Sequence, residues 1–244
     1  MAEPGSSSPT SDRVALITGA GSGIGRATAL VLAEHGYALG LAGRARDRLE
    51  ETAGLVLAAG GPEPAVLIAD VGAPANARAL VLETARRLGR LDALINNAGV
   101  APLEPIDGHT PEVLDETFRV NALGPANSIA AAWPIFVRQG GGVIVNVSTM
   151  GTLDPFPGFF GYASSKASVN LMARSCALEG AAHGIRAFAV APGATETPMF
   201  RRLFPAYPAG DTMDPARVAR VIWRCVAGEL DGRNGQVIEV APGG

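Results

Sequence analysis

Short apolar runs alternate with longer amphipathic ones along most of this chain. Val14–Ile17 is followed by Ile24–His35, Ala38–Ala42 by Arg46–Ala59, and Ala65–Ala69 by Ala75–Leu88. The first member of each pair is short and continuously apolar, as a strand buried on both faces would be, and the second has the length and spacing of an amphipathic helix. Leu91–Ile95 and Val143–Val147 add two more strand-like runs, separated by a long helical stretch from Pro111 to about Arg138. Beyond them Tyr162–His183 reads as helix, Arg186–Ala191 as strand, Pro215–Ala227 as helix and Gln236–Val240 as a last strand. Strands alternating with helices predict an α/β fold: a doubly wound, mostly parallel, seven-stranded sheet with helices on both faces and right-handed crossovers. Ligands of such sheets bind beyond the carboxyl ends of the strands.

Composition adds bounds to this picture. The 244 residues, 48% hydrophobic and 18% charged, suffice for one large core, and a single domain is expected over residues 12–244. Met1–Ser11, rich in Gly, Pro and Ser, reads as a disordered tail. A net charge of -3 with interspersed signs offers no basic field, so no nucleic-acid partner is expected and a small molecule is favoured. No apolar run is long enough to span a bilayer and the N-terminus lacks signal-peptide character, which points to a cytoplasmic protein without membrane association. Cys176 and Cys225 read as buried free thiols. With His35, His109 and His183 equally scattered, no metal site is expected.

Two motifs carry candidate chemistry. Thr18-Gly-Ala-Gly-Ser-Gly-Ile-Gly25 follows the first strand and opens the first helix, where glycines let backbone amides approach a pyrophosphate at a helix N-terminus. The second is Tyr162-Ala-Ser-Ser-Lys166. The chain holds nineteen arginines and one lysine, and that lysine stands four positions after a tyrosine, on the same face of a helix. Where only positive charge was needed this sequence uses Arg, so the retained Lys suggests a task for a compact ammonium.

The glycine spacing, Asn96-Asn97-Ala98-Gly99 after the fourth strand and Tyr162-x3-Lys166 together closely resemble the short-chain dehydrogenase/reductase family, its 3-oxoacyl-acyl-carrier-protein reductase-like members in particular. Asp70-Val71, Asn121, Pro192-Gly193 and the ending Gly235–Gly244 extend the resemblance from about Asp12 onward. It implies a Rossmann-like oxidoreductase of the NAD(P)-dependent alcohol dehydrogenase type, with Tyr162 as general acid or base and Lys166 lowering the phenol's pKa and holding the nicotinamide ribose. Asn121 would anchor a water in the proton relay. The family also places a serine just past the fifth strand against the substrate oxygen. Strand register and the separation of thirteen from Tyr162 select Thr149, whereas the Ser-x-x-Gly pattern selects Ser148, slightly preferred, and both remain candidates.

By the same resemblance Gly19, Ser22, Gly23, Ile24 and Gly25 hold the pyrophosphate, Asp70 and Val71 the adenine, and Asn97, Ala98 and Gly99 the adenosine-ribose region. Pro192, Gly193, Thr195 and Thr197 lie near the nicotinamide. At the end of the second strand, where an NAD enzyme would carry an acidic residue, stands Gly43-Arg44. That favours NADP(H) over NAD(H), because a guanidinium can grip a 2'-phosphate. The alternatives are an NAD-dependent alcohol dehydrogenase and a non-catalytic cofactor-sensing protein on the same scaffold. Substrate choice is expected from loops rich in Phe, which suit an uncharged carbonyl compound. Arg201 and Arg202 offer a second option, an acidic or phosphopantetheine-bearing substrate. Ala- and Leu-rich helices suggest a homodimer or homotetramer.

Overall fold

The computed structural model of the protein describes residues 13–241. The expected tail and the last three residues of the C-terminal motif lie outside them. In chain order the elements are β1 (Val14–Thr18), α1 (Gly23–Glu34), β2 (Ala38–Gly43), α2 (Arg46–Ala58), β3 (Ala65–Ile68), α3 (Pro74–Leu88), β4 (Ala93–Asn96), α4 (Pro111–Phe118), α5 (Gly124–Gln139), β5 (Gly142–Val147), α6 (Phe160–Gly180), β6 (Ile185–Pro192), α7 (Pro198–Leu203), α8 (Pro215–Ala227) and β7 (Val237–Val240).

The strands form one seven-stranded sheet in the order β3-β2-β1-β4-β5-β6-β7. Every pairing is parallel, so the expectation of a mostly parallel sheet is met by a wholly parallel one among the described residues. Alternate side chains along each strand serve opposite faces. Ile17, Leu41, Val145 and Val190 face a core closed by Leu32 of α1, Val56 of α2 and Ile222 of α8. Leu16, Leu94, Ile144 and Ala189 face a second core closed by Val81 of α3, Phe136 of α5 and Ala173 of α6. Double coverage is why the strands read as unbroken apolar runs. The winding reverses between β1 and β4, and the crevice at their carboxyl ends is where such sheets bind ligands.

Two elements differ from expectation. The long helix from Pro111 is interrupted by a π-helical turn, Arg119–Leu123, between α4 and α5. The cause lies in the sequence: the α-helical partner of the Asn121 carbonyl would be the N–H of residue 125, which is proline. The Gly124 N–H bonds instead to the Arg119 carbonyl, five residues back. Such single turns inside helices recur at functional sites. The other difference is α7, six residues long and too short to show periodicity. Its start is set by Pro198 and by the Thr197 hydroxyl, which accepts from the Phe200 N–H at 3.1 Å.

Candidate active site

The glycine loop leaves β1 and is held against β4 by a polar clamp. Thr18 Oγ1 accepts from the N–H groups of Asn97 and Ala98 at 3.0 and 3.1 Å, and Asn97 Nδ2 donates to the carbonyls of Thr18 and Gly19 at 2.8 and 3.2 Å. The amide of Asn97 is therefore committed to shaping the loop, while Ala98 and Gly99 line the crevice beside it. Glycine is required at close quarters here. A Cβ on Gly25 would lie 2.2 Å from the Gly19 carbonyl oxygen, and one on Gly19, where φ is +67°, would lie 2.8 Å from Asn97 Nδ2. Bare backbone in front of α1 leaves the helix's first N–H groups without intrahelical partners, facing an anion site. Ser22 caps that helix by backbone alone, with no side-chain hydrogen bond, and lines the crevice. Ile24 instead packs its side chain on the core.

Along the crevice toward β2 and β3 stand Gly43, Arg44, Arg48, Asp70 and Val71. Asp70 Oδ1 accepts from the Gly72 N–H at 2.9 Å, which fixes the turn after β3. The basic stretch after β2 divides by direction. Arg46 pairs with Glu50 at 3.3 Å on the exposed face of α2, whereas Arg44 and Arg48 line the crevice. The two positions that end β2, Gly43 and Arg44, carry no carboxylate. Residues on this side thus fit a dinucleotide: uncovered amides, a small residue at position 43 and two guanidiniums.

At the other end the crevice meets a 520 Å³ cavity. Val100 lines the crevice and the next residue, Ala101, the cavity. The glycine loop approaches Thr197, which lines the cavity wall together with Pro192, Gly193 and Thr195, and a Cβ on Gly23 would lie 2.9 Å from Thr197 Cγ2. Tyr162 projects from the first turn of α6 into that cavity, and Lys166, one turn on, is 4% exposed. Lys166 Nζ donates to the Val147 carbonyl at 2.7 Å. Burial pushes the Tyr162 phenol up to about 12, with hydrogen bonding to Thr149 drawing the other way, and burial pulls Lys166 down to about 8. In the protein alone burial thus holds the phenol protonated, and the Thr149 hydroxyl is the one group that draws its pKa down.

Both candidate hydroxyls after β5 line the cavity, in different states. Thr149 draws the Tyr162 phenol's pKa down, and its hydroxyl accepts from the Gly151 N–H at 3.2 Å. Ser148 Oγ is buried and has no hydrogen-bond partner. The Thr149 turn is pinned from α6: Asn170 Nδ2 donates to Thr152 Oγ1 at 3.0 Å, and Thr152 Oγ1 donates to the Thr149 carbonyl at 2.9 Å.

Asn121, at the π turn, accepts from the Val100 N–H at 2.9 Å and donates to the Val100 carbonyl at 2.8 Å and to Ser165 Oγ at 3.0 Å. A Cβ on Gly99 would lie 3.1 Å from Asn121 Oδ1 and 3.4 Å from Lys166 Nζ, so these three residues form one junction. The structure adds residues that sequence reasoning passed over. Thr18 is one, Arg48 another, and a buried pair, Asn96 Nδ2 to Asn146 Oδ1 at 2.9 Å, joins the ends of β4 and β5 to α6 through the Val169 carbonyl. A polar residue inside the apolar run Val143–Val147 was the available signal for Asn146.

Comparison with known proteins follows the same lines. The family model for short chain dehydrogenases matches residues 13–208. The chain belongs to this family. Levodione reductase of Leifsonia aquatica is 39% identical over 199 residues, covering 79% of this chain and 74% of that one. The 3-oxoacyl-[acyl-carrier-protein] reductase of Thermotoga maritima is 35% identical over 243 residues, 95% of this chain and 97% of the relative. A crystal structure of 3-ketoacyl-(acyl-carrier-protein) reductase from Brucella melitensis complexed with NADH superposes with a TM-score of 0.86 at 28% identity, covering 95% of this chain and 98% of that one. As a short-chain dehydrogenase the protein is an oxidoreductase that works with a nicotinamide cofactor, on small-molecule carbonyl or alcohol substrates. No helix among the described residues is long and apolar enough to cross a membrane.

Proposed function

We propose that this short-chain dehydrogenase transfers hydride between NADP(H) and a ketone or secondary alcohol, with Tyr162 as the general acid or base. The observation that carries the reading is the placement of the Tyr162 phenol with the Ser148 and Thr149 hydroxyls on one 520 Å³ cavity, with the buried Lys166 one helical turn further along α6. The nicotinamide, when bound, supplies or accepts the hydride. The rest is work for the protein.

In the reductive direction the substrate oxygen accepts hydrogen bonds from Tyr162 and Thr149, and both donors stand ready as negative charge develops on it. With a pKa of about 12, on the order of 1 in 10⁵ phenols is ionised at pH 7, so Tyr162 carries the proton the oxygen needs. Giving it up creates a phenolate one helical turn from Lys166, whose ammonium then stabilises it. Asn121 has committed its side-chain amide to Val100 and Ser165. It offers the relay its main-chain carbonyl, from which Pro125 has removed the α-helical donor, to hold the water that returns a proton toward Lys166.

Arg44 and Arg48 beside Gly43, with no carboxylate at the strand end to repel a 2'-phosphate, support NADP(H) over NAD(H). Gly19, Ser22, Gly23 and the start of α1 would hold the pyrophosphate, Asp70 and Val71 the adenine side, Lys166 the nicotinamide ribose, and Thr195 and Thr197 the carboxamide side. Exposed Leu171 and Leu178 on α6 suit an interface between subunits, which supports a homodimer or homotetramer. Two measurements test the reading. Calorimetric titration is expected to give at least tenfold tighter binding of NADPH than NADH, and equal affinities would move the assignment to an NAD enzyme. Tyr162→Phe is expected to abolish turnover with cofactor affinity nearly unchanged, and full activity in that variant would sink the mechanism.

A further inference from the structure

The cavity beside Tyr162 has one polar end and one aromatic wall. Its hydroxyls, from Ser148, Thr149, Tyr162, Thr195 and Thr197, come from the ends of β5 and β6 and from α6. From the phenol outward the rings touch in series. Phe159 meets Tyr162 edge to face with centroids 5.3 Å apart, and Phe156 packs on Phe159 at 3.7 Å. Phe204 meets Phe156 at 5.8 Å, Phe200 meets Phe204 at 5.0 Å and Tyr207 meets Phe200 at 5.2 Å. All six rings line the cavity. A surface of ring faces and edges at these separations favours a flat apolar body that can join the stack.

Charge in the wall points the same way. Among the described residues no Lys, Arg or His lines the cavity, and Asp154 is its one carboxylate. Arg201, on the helix that supplies Phe200 and leads into Phe204, is turned to other partners. Its Nε donates to Glu196 Oε1 at 2.6 Å, a second nitrogen pairs with Glu196 Oε2, and the third reaches the Tyr207 carbonyl. Thr212 Oγ1 donates to the same carboxylate at 2.8 Å, and together these hydrogen bonds hold Glu196 down at about 2, so the pair stays ionised and self-satisfied across the working pH range. Arg202 is exposed and lies outside the wall. A substrate carboxylate or phosphate in this cavity would meet no cation and one like charge, while losing its water.

We infer that the cavity selects an uncharged, ring-containing ketone, or the matching secondary alcohol, and rejects substrates that place an anionic group inside it. The inference rests on the hydride-transfer reading above and deepens it. The test compares methyl 4-acetylbenzoate with 4-acetylbenzoate, two ketones with the same ring that differ in charge. Steady-state kinetics of the full chain with NADPH and with NADH is paired with saturation-transfer NMR of the two aryl ketones in the presence of NADP⁺, which reads occupancy without turnover. The expected result is kcat/KM at least a hundredfold higher for the ester than for the carboxylate, NMR saturation of the ester alone, and a KM for the ester raised tenfold or more by Phe204→Ala. Carboxylate turnover equal to the ester's overturns the cavity assignment and leaves hydride transfer intact. Absence of ester binding in the NMR experiment also overturns it. Saturation of the ester without reduction by either cofactor refutes the hydride-transfer reading instead, with the cavity assignment upheld.

Discussion

Lys166→Met separates the stability of this fold from its chemistry. The ammonium is 4% exposed, and burial lowers its pKa from 10.5 to about 8. A difference of that size means that the folded protein disfavours the charged form by about 3 kcal/mol relative to the unfolded chain. Methionine keeps the length and removes the charge. It also removes the Nζ–Val147 hydrogen bond, and a bond from a charged donor contributes about 1.5–3 kcal/mol. The two effects oppose each other, so at pH 7 the variant should match wild type or exceed it by up to about 2 kcal/mol, while kcat falls by about 10² or more for want of a cation beside Tyr162.

The pH dependence sharpens this expectation. Because the folded pKa is depressed, the unfolded chain keeps a proton that the folded protein has lost between about pH 8 and 10.5, and wild-type stability rises with pH across that window. Below pH 8 the penalty stands at full size. The substituted methionine does not titrate, so from pH 7 to 9.5 wild type should gain about 2 kcal/mol on the variant. Tyr162, raised to about 12 in the folded state, loses its contribution only as pH climbs from 10 toward 12, beyond the measured range. The assay is guanidinium unfolding of cofactor-free protein at both pH values. A variant destabilised by more than about 2 kcal/mol at pH 7, with a difference that does not change by pH 9.5, would refute the reasoning.

Three further outcomes are expected. Thr149→Ala should lower kcat by about 10² and Ser148→Ala by less than tenfold, since Thr149 is the hydroxyl that draws the phenol's pKa down; the reverse ranking in steady-state kinetics would transfer the role to Ser148. Arg44→Ala should weaken NADPH binding by about ten- to a hundredfold and leave NADH within about twofold, as loss of a charge-assisted contact predicts; equal losses by calorimetry would remove Arg44 from phosphate recognition. Gly25→Ala places a methyl 2.2 Å from the Gly19 carbonyl and 2.5 Å from Asn97 Nδ2, both backed by fixed structure, and should cost about 3 kcal/mol or more together with affinity for either cofactor. Gly54→Ala on α2, with nothing within 4 Å, is the matched control and should be neutral or stabilise by up to about 1 kcal/mol in thermal unfolding; equal behaviour of the two variants would contradict the close approach.

The alternation of apolar runs and amphipathic stretches determined the layers, the strand count and nearly every element, because a strand covered on both faces cannot hide its composition. The same pattern announced the site. Glycines between strand and helix, and a lone lysine four residues after a tyrosine, are local facts whose chemistry follows from backbone geometry. Other features depended on groups far apart in sequence. Asn97 turned out to shape the glycine loop because Thr18, 79 positions earlier, is its partner. Arg44 in the turn after β2 and Arg48 on α2 separated from Arg46 only once the fold had given each a direction. On paper Ser148 is slightly preferred over Thr149, and only the folded turn shows the Thr149 hydroxyl bonded to the Gly151 N–H and Ser148 Oγ buried without a partner. Sequence offered both a neutral and an anion-receiving cavity, and the choice waited on structure, since Arg201 looks available until Glu196 and Thr212 are folded against it. Periodicity and spacing record which face a residue occupies, whereas the partner that consumes or frees a polar group is chosen by tertiary packing.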